Sequence, residues 1–253
     1  MTTPAFKDHF STDSAGYAAH RPTYPPALVD ALAAIAPGHD LAVDCACGSG
    51  QLTTLLAARF QNVTGTDASA TQIASATPHE RITYRTALAE ETGLPDHSAD
   101  LITVAQAAHW LDLDKFYTEV RRIARADAVI ALITYGKLHI DAAVDAVIDE
   151  FYDGTIGSYW PPERRLVESG YRTLDFPFDE TSVPPLAIQL HWRFEDLIAY
   201  LGTWSAVKAA EKELGPDVMP TFAEKLRPHW GDPDTLRLVR WPLSLRVGHV
   251  RPS

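Results

Sequence analysis

The sequence predicts an α/β fold, doubly wound around a mostly parallel sheet, and three observations carry that prediction. Between residues 41 and 136, apolar runs and helical segments alternate regularly, as in repeated βαβ units. The apolar runs are near-continuous rather than alternating with polar residues, which marks strands buried on both faces. The first of them, LAVDC, leads into a Gly-bearing turn and then a helical stretch, QLTTLLAARF. Strand, turn, helix, strand and a terminal acid together outline a nucleotide pocket.

The elements follow in order. Residues 1–40 are a lead-in in which Pro25 and Pro26 open a helix with Leu28, Val29, Leu32 and Ile35 on its apolar face. Pro37-Gly38 stops it. LAVDC is the first strand, 51–60 a helix, VTGTD the second strand, ATQIASA a short helix and RITYRTAL the third strand. DLITVAQAAHW is the fourth strand, 113–125 a helix with Phe116, Val120 and Ile123 on one face, and AVIALITYG the fifth strand. Residues 137–234 differ in character. They hold four of the six tryptophans and several Pro-punctuated turns, and read as an inserted helical cap over the sheet edge, within one compact unit. Residues 235–250 return as a strand. Leu236 and Leu238 have one parity and Trp241, Leu243, Leu245 and Val247 the other, a slip that predicts a bulge near Val239–Arg240. The sheet unit is thus expected over 1–136 and 235–253, and the cap over 137–234.

Bulk properties narrow the function. A chain of 253 residues with 46% hydrophobic content supports a sizeable core. No apolar stretch approaches the ~18–20 residues of a membrane span, and the N-terminal MTTPAFKDHF lacks the apolar core of a signal peptide. A net charge of −11 argues against a nucleic-acid partner, although residues 225–253 carry six Lys/Arg against two Asp. Cys45 and Cys47 lie one residue apart on a strand and its turn, so neither a disulfide between them nor a zinc site is expected. Reduced thiols in a cytoplasmic protein are the simpler reading. The histidines are scattered without HxxxH or HExxH spacing, so no metal is expected. Whether the chain is a monomer or homodimer is left open.

The turn itself selects among cofactors. A dinucleotide site wants G-x-G-x-x-G, but after Gly48 and Gly50 come Gln51, Leu52 and Thr53, so the third glycine is missing and an NAD-dependent oxidoreductase is the weaker reading. Asp67 ends the second strand 19 residues after Gly48, near the usual ~20 for an acid that binds ribose hydroxyls. Alone, it would equally suit a helix N-cap.

Asp44-Cys45-Ala46-Cys47-Gly48-Ser49-Gly50 resembles the D-x-G-x-G-x-G loop of class I S-adenosylmethionine-dependent methyltransferases. Ala46 stands where that pattern has its first Gly, and its Cβ works against positive φ there. With AEETGLPDHSADLITVAQAAHWLD and FSTDSAGYAAHRPTYP, the chain resembles the type 11 methyltransferase family, particularly its trans-aconitate-methyltransferase-like branch. The resemblance covers most of residues 6–136. It implies a Rossmann-like, seven-stranded, mostly parallel sheet and S-adenosylmethionine as cofactor. The loop residues Asp44, Ala46, Gly48, Ser49 and Gly50 and the strand-end pair Asp67 and Ala68 are implied to hold it. Leu88, Ala89 and Glu90 are implied to lie against adenine, and Gln106 beneath the methionine end. Tyr17 and Arg21 are implied to fold over the cofactor, with Arg21 pairing its carboxylate.

The acceptor is less legible. Methyl transfer is an in-line displacement in which alignment and exclusion of water dominate, so an acidic acceptor needs little base. His109, at the end of the fourth strand and ahead of a helix, is the first candidate base or acceptor-orienting group; a structural hydrogen bond would equally explain it. Tyr17 is a second catalytic candidate. Phe10, Trp110, Tyr135, Trp160 and Trp204 are candidate walls of an apolar or aromatic small-molecule pocket, and each would also serve as core. A non-catalytic cofactor-binding module remains the third reading.

Overall fold

The computed structural model describes residues 22–251. The chain builds β1 (Leu41–Cys45), β2 (Asn62–Asp67), β3 (Ile82–Thr86), β4 (Ala99–Ala105), β5 (Ala124–Tyr135), β6 (Asp179–Thr181), β7 (Ala187–Trp192) and β8 (Arg237–His249). Seven strands run in the order β3-β2-β1-β4-β5-β8-β6, and the eighth, β7, pairs with the first half of β8. β1 to β5 are mutually parallel, and β8 runs antiparallel to its three neighbours. β1 is flanked by β2 on one side and β4 on the other, so the connection reverses direction there. Open α/β sheets bind ligands at such a switch point, beyond the carboxyl ends of the strands. The sequence-derived candidates at residues 44–50, 67, 88 and 106–110 all lie at or just beyond those ends.

Both sheet faces are buried. Alternate residues of β5 divide between two apolar clusters, Val129, Ala131 and Ile133 on one side and Ile130 and Leu132 on the other. α1 (Pro26–Ile35) buries Leu28, Val29 and Leu32 against the first cluster. α2 (Gln51–Leu56) and α3 (Ala70–Ala74) connect the early strands. α4 (Leu113–Ile123) buries Phe116, Val120 and Ile123 completely in the second cluster, the i, i+4, i+7 stripe of a surface helix. Its Asp112 N-cap accepts from the Lys115 amide, and Arg121 and Arg122 occupy its last turn, where cations suit the helix dipole.

The region 137–234 contains α5 (Ala142–Glu150), α6 (Arg164–Glu168), α7 (Phe194–Leu201), α8 (Ser205–Leu214) and α9 (Val218–Trp230), together with β6 and β7. Its Phe194, Leu197, Phe222 and Trp230 belong to the same apolar cluster as Leu28, Leu56 and Ile133 of the sheet unit. The expected bulge in β8 is not found. Arg237–Pro242 pair with β7 and Leu243–His249 with β5 in unbroken register. Val239, Trp241 and Val247 form the buried parity, whereas Leu236 is 56% exposed. The misleading leucine lies outside the strand.

Candidate active site

The turn after β1 is shaped by three left-handed residues, Ala46 (φ 53°), Gly48 (φ 57°) and Gly50 (φ 86°). The Cys47 amide donates to Thr66 O at 2.9 Å and the Gly50 amide to Cys47 O at 3.0 Å, which pins the turn to β2. Ala46 therefore adopts the conformation its Cβ opposes, at a cost of roughly 1–2 kcal/mol. Ala46→Gly is expected to stabilise the fold by about 0.5–1 kcal/mol, the relieved strain exceeding the added chain entropy. Urea unfolding would show this as a higher midpoint with unchanged slope.

Asp67 closes the turn from the far side. Its Oδ2 accepts from the Gly48 amide and its Oδ1 from the Ser69 amide, both at 2.8 Å. A carboxylate has about four acceptor positions, so each oxygen retains capacity for one further donor. A Cβ built on Gly48 would meet nothing nearer than Gln72 Oε1 at 3.9 Å, leaving open space over that backbone. Gly50 and Gly65, by contrast, are packed against the Tyr84 ring of β3. Burial pushes the Tyr84 phenol up to about 12, and its Oη has no hydrogen-bond partner among the described residues.

Asp44 lies beneath the turn, 1% exposed. Thr53 Oγ1 of α2 donates to its Oδ2 at 2.7 Å and Thr103 Oγ1 of β4 to its Oδ1 at 2.8 Å. Burial raises its pKa to about 6, with the two hydroxyls opposing the rise. Asp44 thus ties β1, α2 and β4 together under the loop. Cys45 and Cys47 are free thiols, and burial pushes both well above the ordinary thiol range. Ser49 and Ala68 are half-buried beside the turn and the β2 end.

Beyond β3, Leu88 is 47% exposed and Ala89 buried, while Glu90 Oε1 accepts from the Asp112 amide at 2.9 Å. Beyond β4, Gln106 (φ 57°) is a brace: its Nε2 donates to Tyr135 O at 3.1 Å and its Oε1 accepts from Thr134 at 2.6 Å. His109 and Trp110 sit in a short 3₁₀ turn, Ala108–Trp110, with ring centroids 4.7 Å apart. His109 Nδ1 is 2.7 Å from Tyr171 Oη. Burial, then the nearby Arg164 charge, lowers the His109 pKa to about 4, so the imidazole is neutral at pH 7.

The 137–234 region supplies aromatics on the Arg164 side. Trp160 lies 4.8 Å from Tyr152 and 5.6 Å from Trp204. The Arg164 guanidinium stacks 4.7 Å over Trp160, and its Nε donates to Tyr152 Oη at 2.6 Å. Trp160 Nε1 is buried without a hydrogen-bond partner among the described residues. Tyr135 is buried edge-on against Tyr24 at 6.2 Å. Phe10, Tyr17 and Arg21 fall outside the described residues. Sequence reading missed Tyr171, Arg164, Tyr84 and Thr53. A helix ending at SGY was the one available pointer to Tyr171. Among the described residues, no cluster of three or more His, Cys, Asp or Glu is gathered for a metal, and no helix is long and apolar enough to cross a membrane.

Residues 43–132 match a family model described as a methyltransferase domain. A Dictyostelium discoideum protein named as a methyltransferase is 36% identical over 239 residues, covering 89% of each chain. The chain belongs to the class I S-adenosylmethionine-dependent methyltransferases, type 11. A solved structure from Anaeromyxobacter dehalogenans, described as a type II methyltransferase, is 48% identical and superposes with a TM-score of 0.88 over 92% of this chain and 99% of that one. A Saccharomyces cerevisiae protein named as an S-adenosylmethionine-dependent methyltransferase is 29% identical over 132 residues, 49% of this chain and 45% of its own. The methyltransferase fold explains the missing third glycine, since S-adenosylmethionine has no pyrophosphate to seat on a helix N-terminus. The residues present fit that cofactor: a glycine turn open over Gly48 and a carboxylate, Asp67, with acceptor capacity to spare.

Proposed function

We propose that this methyltransferase modifies a small-molecule acceptor at oxygen, as a carboxylate or hydroxyl, or at sulfur, in the cytoplasm. Bound S-adenosylmethionine supplies an electrophilic methyl group with a good neutral leaving group. The chain's own residues bind, align and exclude water. In this reading Asp67 accepts from the ribose hydroxyls, and the Ala46–Gly50 turn and Ala68 let the ligand approach the backbone. Asp44 holds that turn in place. Leu88, Ala89 and Glu90 border adenine, Gln106 braces the strand end beneath the methionine portion, and Tyr17 and Arg21 cover it. The region 137–234 is the acceptor-binding cap. His109, Trp110, Tyr135, Trp160 and Trp204, with Phe10, line the acceptor's place.

The observation that carries this reading is the position of His109. It is a neutral, half-buried imidazole just beyond β4 at the switch-point edge, with Tyr171, the Arg164 charge and, through Arg164, the Trp160–Trp204 pair brought near it from residues 137–234. Such a set of aromatic and polar neighbours suits a small, partly apolar molecule with a polar reacting end. A panel of small acids, phenols and thiols with a radiolabelled methyl donor should yield a methylated small product. Label appearing only in protein or nucleic acid would refute the acceptor class while leaving the cofactor assignment standing.

A further inference from the structure

Tyr171 is held in place with unusual thoroughness. It follows α6, whose end forms a Schellman arrangement: the Gly170 amide donates to Val167 O and the Tyr171 amide to Leu166 O, both at 2.9 Å. Gly170 (φ 62°) suits that geometry. Tyr171 (φ 60°) is left-handed as well, a conformation that a bulky residue adopts only when its surroundings enforce it. Arg246 Nη1 of β8 clamps the segment by donating to Tyr171 O at 3.2 Å and Leu174 O at 2.7 Å. The side chain is fully buried, and its hydroxyl ends 2.7 Å from His109 Nδ1.

The direction of that hydrogen bond follows from its neighbours. Among the described residues, His109 Nδ1 is the group at hydrogen-bond distance from the Tyr171 hydroxyl. Thr134 also lies beside the phenol, but its own hydrogen goes to Gln106 Oε1. An imidazole nitrogen is a better acceptor than an aliphatic hydroxyl, and Nδ1 is the one at hydrogen-bond distance. A buried phenol, with its pKa raised, keeps its proton and must place it.

We infer that Tyr171 is a positioning residue that donates to His109 Nδ1 and fixes the imidazole as the Nε2–H tautomer, so that His109 offers the acceptor site a hydrogen-bond donor rather than a base. The neighbouring groups agree: Arg164 of α6 is a donor-only cation whose charge reaches the ring, and the Trp110 ring lies 4.7 Å from it. An acceptor met by donors must bring its own lone pair, so it enters already deprotonated or needs no proton removed before attack. The inference rests on the proposed role of His109 beside the acceptor.

Nitrogen-15 NMR of the intact protein labelled at histidine tests it without any acceptor. The His109 signals, assigned by their loss in His109→Gln, are expected to show a bare Nδ1 and a protonated Nε2 from pH 7 down to about pH 5. A protonated Nδ1 would overturn the proposal. Tyr171→Phe should move the Nδ1 signal toward that of a nitrogen without a hydrogen bond and relax the tautomer ratio toward that of free histidine, which itself favours Nε2–H; unchanged Nδ1 and tautomer signals would also overturn the proposal. Turnover gives a second reading. Gln can donate from a similar place but cannot act as a base, so His109→Gln should keep turnover within about tenfold of wild type. His109→Ala should lose about 100-fold or more, in the range general acid–base groups contribute. Equal loss in both would restore His109 as a base. S-Adenosylhomocysteine affinity, expected to persist in all three variants, separates failure of this inference from failure of the methyltransferase reading.

Discussion

Asp67→Ala is expected to weaken S-adenosylhomocysteine binding by about 100-fold. Its carboxylate does two things at once. It accepts the Gly48 and Ser69 amides at 2.8 Å, holding the turn, and it keeps acceptor capacity for a ligand diol. Hydrogen bonds to a charged group contribute about 1.5–3 kcal/mol each, and losing about 3 kcal/mol of ligand contact is roughly a hundredfold in affinity. Asp67→Asn should fall between the two, because one oxygen survives as an acceptor. Calorimetric titration gives the comparison, and equal affinity in wild type and Asp67→Ala would remove Asp67 from the cofactor site.

The second large effect is expected at Gly50. A Cβ there would collide with Tyr84 Oη and stand 2.9 Å from Tyr84 Cζ, at φ 86°. Strain and overpacking together should destabilise Gly50→Ala by about 2–4 kcal/mol and abolish cofactor binding. Tyr84→Phe alone should be nearly neutral, because the hydroxyl it removes has no partner among the described residues. Combining the two should recover part of the loss, since the nearest colliding atom is gone. Strict additivity of the two substitutions in thermal melts would contradict the contact.

The sequence announced whatever depends on local pattern. Alternating segments, strands buried on both faces and the glycine turn with its distant acid are written within windows of about thirty residues or fewer, and they led to the switch point and to Asp67. What stayed hidden depends on contacts across the chain. Tyr171 reaches His109 over 62 positions, and only the folded chain reveals it. The same holds for the surroundings of Asp44: Thr53 and Thr103 tie its carboxylate to α2 and β4, contacts that the motif does not announce. Ala46 shows a different limit. Its intrinsic preference opposes φ 53°, but the amide bonds of the neighbouring Cys47 and Gly50 overrule it. In β8, leucine periodicity suggested a slip because Leu236, an exposed neighbour, was counted as part of the strand.

β8 also constrains how the enzyme can breathe. Its first six residues pair with β7 and its last seven with β5, in one unbroken strand. If residues 137–234 swung away like a door, they would have to tear one of those ladders or bend the strand through its fully buried Trp241. Among the described residues, passage of small molecules beside this strand would then rely on side-chain and loop rearrangements rather than on a hinge at β8.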